Sequence, residues 1–424
     1  VLDRWRELTA RGRGFLLAGL LMGAVGWTVG RPDILPAGVL LLVLPPLGLV
    51  LAHRSRFRLS AARTVTPTRV PLGSEVTVTI GLTNLSRVPT GLLLLTDDLD
   101  PALGVGQRFV VAGITSNDSR VVSYSLAPQA RGHRTIGPLR IRVVDTFGLV
   151  SLDHSFAAVD RIVVQPRVES LRTTDRTGRW AGGGDAVARA IVAAGADDVV
   201  PRDYRVGDEL RRVHWRATAR TGELMVRREE QPWRTRASLL IDTRATANVG
   251  TGIGASFEWL ISATASIAIE LMHRGYVVEV SDHSGKLIVG PLEPGAAAIA
   301  QLLDQLAELE LRDDPILPQR RAPDGLCIGL FAPMGPELAA AVARWRSSTG
   351  TALALVLDTH SWPESQPRHA HPGHTAPLTL SDLRQCGWNG VVVAPGTSVP
   401  QAWSTLVAPS AVRRVQRTNG TGAA

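Results

Sequence analysis

Two uncharged, apolar stretches near the start of the chain, residues 14–30 and 34–52, constrain its fold more than anything that follows. They are 17 and 19 residues long. At about 1.5 Å of rise per residue each fits the hydrocarbon thickness of a bilayer as a helix, the first at the short end. Only Arg31, Pro32 and Asp33 separate them, which predicts a helical hairpin with two transmembrane helices. Pro45 and Pro46 fall inside the second stretch, where a membrane helix tolerates proline if neighbouring groups satisfy the freed carbonyls. Arg4, Arg6, Arg11 and Arg13 precede the pair, and Arg54, Arg56 and Arg58 follow it. Basic flanks are retained on the cytoplasmic side. The expectation is therefore a multi-pass protein of the inner or plasma membrane, with the large region after Arg58 cytoplasmic. The alternatives are a cleaved signal peptide or a buried helical hairpin; a signal peptide would account for the first stretch and leave the second without a reason.

The rest of the composition narrows the classes further. The chain has 424 residues and a net charge of +8, but Lys286 is its only lysine and the arginines are dispersed. Nucleic-acid binding asks for clustered cations interleaved with stacking aromatics. Phe, Tyr and Trp make up only 5% of the chain, so no nucleic-acid partner is expected. Cys327 and Cys386 match no short metal-ligand spacing and read as reduced thiols.

After residues 1–58, the pattern divides into three parts. Residues 59–166 hold short runs with alternating polarity (75–80, 92–95, 109–112, 121–126), punctuated by Asn84, Asn117-Asp118, Gly132 and Gly137-Pro138. Beta-branched residues suit pleated strands and these turn residues bound them, predicting an antiparallel β-sandwich-like domain. Residues 167–235 read as a linker with an Arg-rich segment; Gly182-Gly183-Gly184 lacks the lysine a phosphate loop needs. In residues 236–424 apolar runs alternate with helical patterns: strands at 237–241, 276–280, 286–289, 326–331, 352–357 and 390–394, and helices at 257–273, 294–310, 336–346 and 381–385. That alternation predicts an open, largely parallel α/β sheet covered on both faces.

Open α/β sheets bind ligands beyond the carboxyl ends of their strands, so Asp242 is the first residue to weigh. With Thr246 it is a weak candidate for a degenerate Mg-type site; Arg244, between them, puts a cation where an oxygen ligand is wanted. The competing role for Asp242 is loop capping. No cofactor is otherwise implied. Asp358-Thr359-His360 ends another strand and would approach Asp242 if the two strands were neighbours. His369, His371 and His374 cluster in a Pro-rich loop, read as solvated or as a metal catch.

The densest chemistry lies in residues 201–236, with ten Arg against six Asp plus Glu. An Asp208 cap would start a helix at residues 209–215, with Leu210, Val213 and Trp215 facing an adjoining domain. The charges then either form an internal ion network or present arginine forks to a partner. Tyr204, Arg205, Gly207 and Asp208, then Arg212, Val213, His214 and Trp215, Ala217, Ala219, Arg220 and Gly222, and Leu224, Val226 and Arg227 resemble the signature of the bacterial Domain of Unknown Function 58 family; Arg216 lies within the same span. Arg131-Gly132, Gly137-Pro138 and Asp145, Phe147, Gly148 and Leu149 resemble it upstream. The resemblance extends over nearly the whole chain. It implies a membrane-anchored protein whose α/β domain is related to the von Willebrand factor A fold, partnered by a MoxR-type AAA ATPase or other membrane-associated assembly protein. The adhesion-type metal motif of that fold would ask for hydroxyls after Asp242 and an acid after a later strand; Arg244 and Ala332-Pro333 depart from both.

The function expected from these features is a noncatalytic, membrane-tethered scaffold or adaptor that contacts the lipid bilayer and recruits an ATPase in cell-envelope maintenance. The alternatives are an acid/base hydrolase or transferase using Asp242, Asp358 and His214 or His360, and an envelope polymer-binding module.

Overall fold

A computed structural model describes residues 7–54, 59–145, 147–171, 201–203, 215–227, 236–313, 321–346, 351–363 and 374–408. Its contacts divide into two units, Val1–Gln165 and Pro166–Ala424.

The first unit opens with helix α1 (Ala10–Thr28), a short 3-10 turn (Pro32–Ile34) and helix α2 (Leu35–Arg54). The two helices pack closely because glycine lets their backbones approach. A Cβ on Gly19 would lie 2.8 Å from the Gly38 carbonyl oxygen, and one on Gly38 would lie 3.1 Å from the Gly23 nitrogen. The expected pair of transmembrane helices is corrected. Among the described residues one segment, Pro32–Val50, is long and apolar enough to cross a membrane, with a mean hydropathy of 2.0. Arg11 and Arg13 occupy the start of α1, and its glycines dilute what remains. The multi-pass topology, and the cytoplasmic placement of the large region that depended on it, fall with the second span. Only 11% of the remaining segment is buried.

Asp145-x-Phe147-Gly148-Leu149 joins these helices to the β structure of the same unit. The Asp145 carboxylate accepts the amides of Val150 (2.8 Å) and Phe147 (3.2 Å). The turn so formed offers its carbonyls to the foot of α1: the Thr9 hydroxyl donates to Gly148 O (2.6 Å) and the Thr9 amide to Leu149 O (3.0 Å). Leu8, Leu149 and Val150 bury a small core there against Phe15, Leu16, Leu44 and Leu49. A Cβ on Gly12 would sit 2.3 Å from Leu149 O, so this foot requires glycine.

Strands β1 (Leu59–Thr66), β3 (Val76–Asn84) and β6 (Ser119–Leu126) form one antiparallel sheet. A second sheet takes the order β2-β9-β7-β4-β5, from β2 (Arg69–Pro71), β4 (Leu92–Leu99), β5 (Gln107–Val111), β7 (Gly132–Val144) and β9 (Asp160–Gln165), with β8 (Ser151–Phe156) on β7. The expected all-antiparallel block has one exception, the parallel pair β2 and β9. Alternation does the sorting: Val76, Val78, Ile80 and Leu82 point inward from β3 and meet Leu93, Leu95, Ile141 and Ile162 in a shared core. Burying each such side chain contributes about 1.5–3 kcal/mol.

A buried charge interrupts this apolar interior. Arg63 on β1 and Asp97 on β4 are both sequestered, 3.6 Å apart. The Tyr124 hydroxyl donates to Asp97 at 2.6 Å, and the Arg63 guanidinium donates to the carbonyls of Ile136 and Ala158. Burial pushes the Asp97 carboxyl above its ordinary range; the Tyr124 hydrogen bond and the Arg63 charge pull it back without cancelling the rise. Burial, then the bond to Asp97, raises the Tyr124 phenol. A raised carboxyl favours the protonated folded state, so the contribution of Asp97 is fully present below its unfolded value and declines as pH rises through the folded one. Wild type should accordingly lose stability relative to Asp97→Asn as pH climbs from about 4. Urea unfolding of both proteins across that range checks this, and a flat difference would contradict it.

The second unit contains a short ribbon, β10 (Pro201–Asp203) antiparallel to β11 (Met225–Arg227), with helix α3 (Trp215–Thr221) between them. Its main body is a six-stranded sheet of order β14-β13-β12-β15-β16-β17. The strands are β12 (Arg236–Ile241), β13 (Val277–Asp282), β14 (Leu287–Leu292), β15 (Leu326–Phe331), β16 (Ala352–Leu357) and β17 (Asn389–Val393). All pairs are parallel except the hairpin of β13 and β14. Helices α4 (Ser256–His273), α5 (Ala296–Ala307) and α8 (Val399–Val407) cover one face over Leu239 and Ile241; α6 (Pro336–Trp345) and α7 (Ala376–Gln385) cover the other over Leu240. Two-sided burial explains why these strands read as continuous apolar runs. Gly325, at φ +145°, permits the close approach of β15 to β12: a Cβ there would lie 2.2 Å from Arg236 O. Helix α7 begins five residues before its expected start, with proline in its first turn, and α8 was not expected at all. Proline at a helix start costs no hydrogen bond.

Candidate functional site

The chain runs from β12 to β13 and β14 on one side and returns to β15 on the other, so the order of the sheet reverses between β12 and β15. Ligands of open α/β sheets bind at such a reversal, beyond the carboxyl ends of the strands. Asp242 stands there, 1% exposed, its amide bonded to Leu330 O of β15 (2.9 Å).

Both oxygens of that carboxylate are already engaged. Oδ1 accepts the Arg244 amide (3.1 Å) and Arg244 Nε (2.8 Å); Oδ2 accepts Arg244 Nη2 (2.5 Å) and the Ala332 amide (3.1 Å). Arg244 Nη2 also donates to Pro333 O at 3.1 Å, which ties the loop after β12 to the end of β15. Burial alone would pull the Arg244 guanidinium down, but the adjacent Asp242 charge and hydrogen bonds outweigh it and hold its proton affinity above the ordinary value. Asn248 completes the loop, donating to the carbonyls of Asp242 (3.3 Å) and Arg244 (3.0 Å) while accepting from the Ser256 hydroxyl at the start of α4 (3.0 Å).

Asp242 and Thr246 consequently do not fit a hard divalent cation. The bidentate guanidinium occupies the coordinating edge of the carboxylate, and Thr246 is exposed. Among the described residues no group of three or more His, Cys, Asp or Glu side chains is placed to hold a metal ion. His369 and His371 lie outside the described residues, and His374 sits against Gly335 at the start of α6. Asp358 does not approach Asp242 as a neighbour: β15 separates β12 from β16, so two strand spacings, roughly 10 Å, intervene. Its carboxylate accepts the Ser361 hydroxyl at 2.7 Å, and His360 is exposed. Cys327 and Cys386 are free thiols.

Sequence reasoning overlooked a second polar cluster at the same edge. Thr243 Oγ1 lies 2.7 Å from Nδ1 of the buried His283. Asp282 Oδ1 accepts the Ser284 amide (3.0 Å), the Ser284 hydroxyl (2.5 Å) and the Lys286 amide (3.0 Å), shaping the turn between β13 and β14. The Asp-x-Ser-Gly-Lys pattern of residues 282–286 was its available signal.

The Arg-rich segment is described in part. Tyr204, Arg205, Gly207, Asp208, Arg212 and His214 lie outside the described residues, as does the expected helix at 209–215 apart from its last residue. Trp215 begins α3 and is 72% exposed; Leu210 and Val213, expected to share its face, lie outside the described residues. Arg220 is exposed; Gly222, at φ +78°, ends the helix, and its amide caps Thr218 O at 2.9 Å. The backbone places Arg216 on α3 and Arg227 on β11.

Residues 200–366 match the model of the family described as "Protein of unknown function DUF58". The matched span, under half of the chain, takes in the ribbon, α3 and the Asp242 edge, and leaves α1, α2, the sandwich and β17 outside. The chain is similar to the uncharacterized protein YeaD of Bacillus subtilis (strain 168), 25% identical over 256 residues, 58% of this chain. It spans 61% of that relative's length. Among solved structures, the CARDB domain of the PF1109 protein from Pyrococcus furiosus is 14% identical, covering 26% of this chain and 88% of that one at a TM-score of 0.20. The putative ApaA protein from Bordetella pertussis is 11% identical, covering 26% and 94% at a TM-score of 0.20. Likenesses this partial carry no functional weight.

If Arg244 is the internal counter-charge of Asp242, Arg244→Ala leaves a buried carboxylate uncompensated and should cost about 3–5 kcal/mol, whereas the Asp242→Ala/Arg244→Ala double variant should recover much of that loss. Denaturant unfolding of the three proteins checks it; additive losses would show that the two residues are not coupled.

Proposed function

We propose that this protein is a noncatalytic adaptor held at a bilayer through Pro32–Val50, and that its α/β unit recruits a MoxR-type AAA ATPase or a similar membrane-associated assembly protein in cell-envelope maintenance. One observation carries the reading: at the position where an open α/β sheet would present an acid to a ligand, Asp242 is closed by Arg244 of the same loop. A carboxylate so committed is a poor general base, because proton transfer needs a free lone pair within reach of the substrate. The sparsely buried apolar segment supports the bilayer attachment. The order of the sheet, with one antiparallel edge strand, supports a relation to the von Willebrand factor A fold. Recruitment by protein contact suits the exposed Trp215 within the matched region, since tryptophan is among the side chains that dominate binding energy at interfaces.

A photo-crosslinking residue at position 215 of the full chain in native membranes should capture an AAA ATPase. Trp215→Ala should lower co-isolation of that ATPase roughly tenfold without changing the unfolding midpoint. Recovery of no ATPase at position 215 would overturn the proposal.

A further inference from the structure

The foot of the helical hairpin and one end of the β-sandwich come together in a way that the adaptor role does not require. Gly48, near the end of the apolar segment Pro32–Val50, lies against this end: a Cβ on it would be 3.5 Å from Val150 Cγ2. The turn at residues 145–150 therefore sits level with one end of that segment. Strand pairing brings two further loops to the same level. Leu59, where the chain re-enters the sandwich after α2, pairs with Asn84, and Leu92 pairs with Val144; the 85–91 loop lies between Asn84 and Leu92.

The side chains at this end are unlike those of a solvated loop cluster. Phe147 is 70% exposed, and Leu85, Val88 and Leu92 are exposed beside it. Arg11 and Arg13, at the start of α1, and Arg87, in the 85–91 loop, are exposed at the same end, and none has an acidic partner among the described residues. The exposed Asp118, held as a carboxylate by the Ser119 amide and the Thr115 hydroxyl, sets one negative charge at this end against the three arginines. Phe147 cannot retreat cheaply, because the Asp145 carboxylate holds its amide and Gly148 O is fixed by Thr9. An apolar rim with interspersed arginines matches the chemistry of a bilayer's headgroup layer, where aromatic rings settle and basic side chains meet lipid phosphates.

We infer that this end of the sandwich is a membrane-contact face: Phe147, Leu85, Val88 and Leu92 enter the headgroup region of an anionic bilayer while Arg11, Arg13 and Arg87 contact its phosphates. The inference deepens the proposed bilayer attachment and rests on that reading. It assigns the Asp145–Leu149 turn two tasks, clamping the helices and seating the β domain on the lipid surface.

The test uses the full chain in vesicles of phosphatidylcholine with phosphatidylglycerol. An environment-sensitive fluorophore is placed on Phe147→Cys, Val105→Cys or Val43→Cys in a Cys386→Ser background, which leaves the buried Cys327. Val105 is the control: it is 86% exposed and equally apolar, but strand register puts it at the opposite end of the sandwich, beyond Asp97 and Gln107. Lipids spin-labelled at the headgroup should quench the probe at 147 roughly twofold or more over that at 105, and lipids labelled in mid-chain should quench the probe at 43. Omitting phosphatidylglycerol, or introducing Arg11→Gln with Arg13→Gln, should bring quenching at 147 towards the control. Quenching at 43 with none at 147 overturns the contact face alone, and quenching at 147 that ignores lipid charge overturns its anionic specificity. No quenching at 43 overturns the bilayer attachment itself. Matching circular dichroism of each labelled protein confirms that the substitutions leave the fold intact.

Discussion

A buried carboxylate has to find a cation or give up its charge, and that constraint organises the α/β unit's ligand edge. Asp242 has no solvent to turn to, and the guanidinium two residues along the same loop meets both of its oxygens. Because Arg244 also reaches Pro333 O, and Asp242 also accepts from Ala332, the pair ties the loop after β12 to the end of β15. The sheet reversal, which in other open sheets leaves a crevice, is here bridged by the protein's own side chains. The sandwich solves the same problem at Arg63 and Asp97, where Tyr124 and two carbonyls complete the arrangement. In both places the ions fix how elements distant in sequence meet, which is the use of buried charge best suited to specifying one arrangement over others.

Close packing at glycine is the second constraint, and it acts where the first unit is assembled. Gly19 and Gly38 let α1 and α2 approach backbone to backbone, and Gly12 lets the foot of α1 meet the Leu149 carbonyl. The Asp145 turn is the geometric hub: its carboxylate stiffens the loop, its carbonyls hold Thr9, and its Leu149 and Val150 fill the small core under the helices. Helix and sandwich in this unit are consequently one packed body with a defined orientation, which gives the exposed apolar rim at that end a fixed position relative to the apolar segment.

The functional proposal joins features from parts of the chain with different support. The matched region contributes the closed Asp242 edge and the exposed Trp215. In that proposal the helices and sandwich serve as the attachment. An adaptor needs both parts, an attachment and a docking surface, and neither asks for a catalytic group.

Alternating polarity alone marked β3, because each second residue of Val76–Asn84 meets the core, and continuous apolar runs alone marked β12, β15 and β16, because those strands are buried on both faces. Arg244 was legible as an obstacle to metal binding from its place between Asp242 and Thr246. Apolarity counted along the chain, however, exaggerated α1 into a membrane span, since an uncharged run that begins at Gly14 ignores the two arginines that enter the same helix. The short helix α8 went unseen because Pro400 reads locally as a breaker, although at a helix start its missing amide costs nothing. Strand order was beyond local patterning altogether: whether β15 lies between Asp242 and Asp358 is settled by which strands bury one another, and β12 finds β15 only by the long-range pairing of Ala237 with Leu326. Local periodicity and charge determine what each segment is, because they depend on neighbours along the chain; which groups share a site depends on long-range packing, and that only the tertiary structure decided.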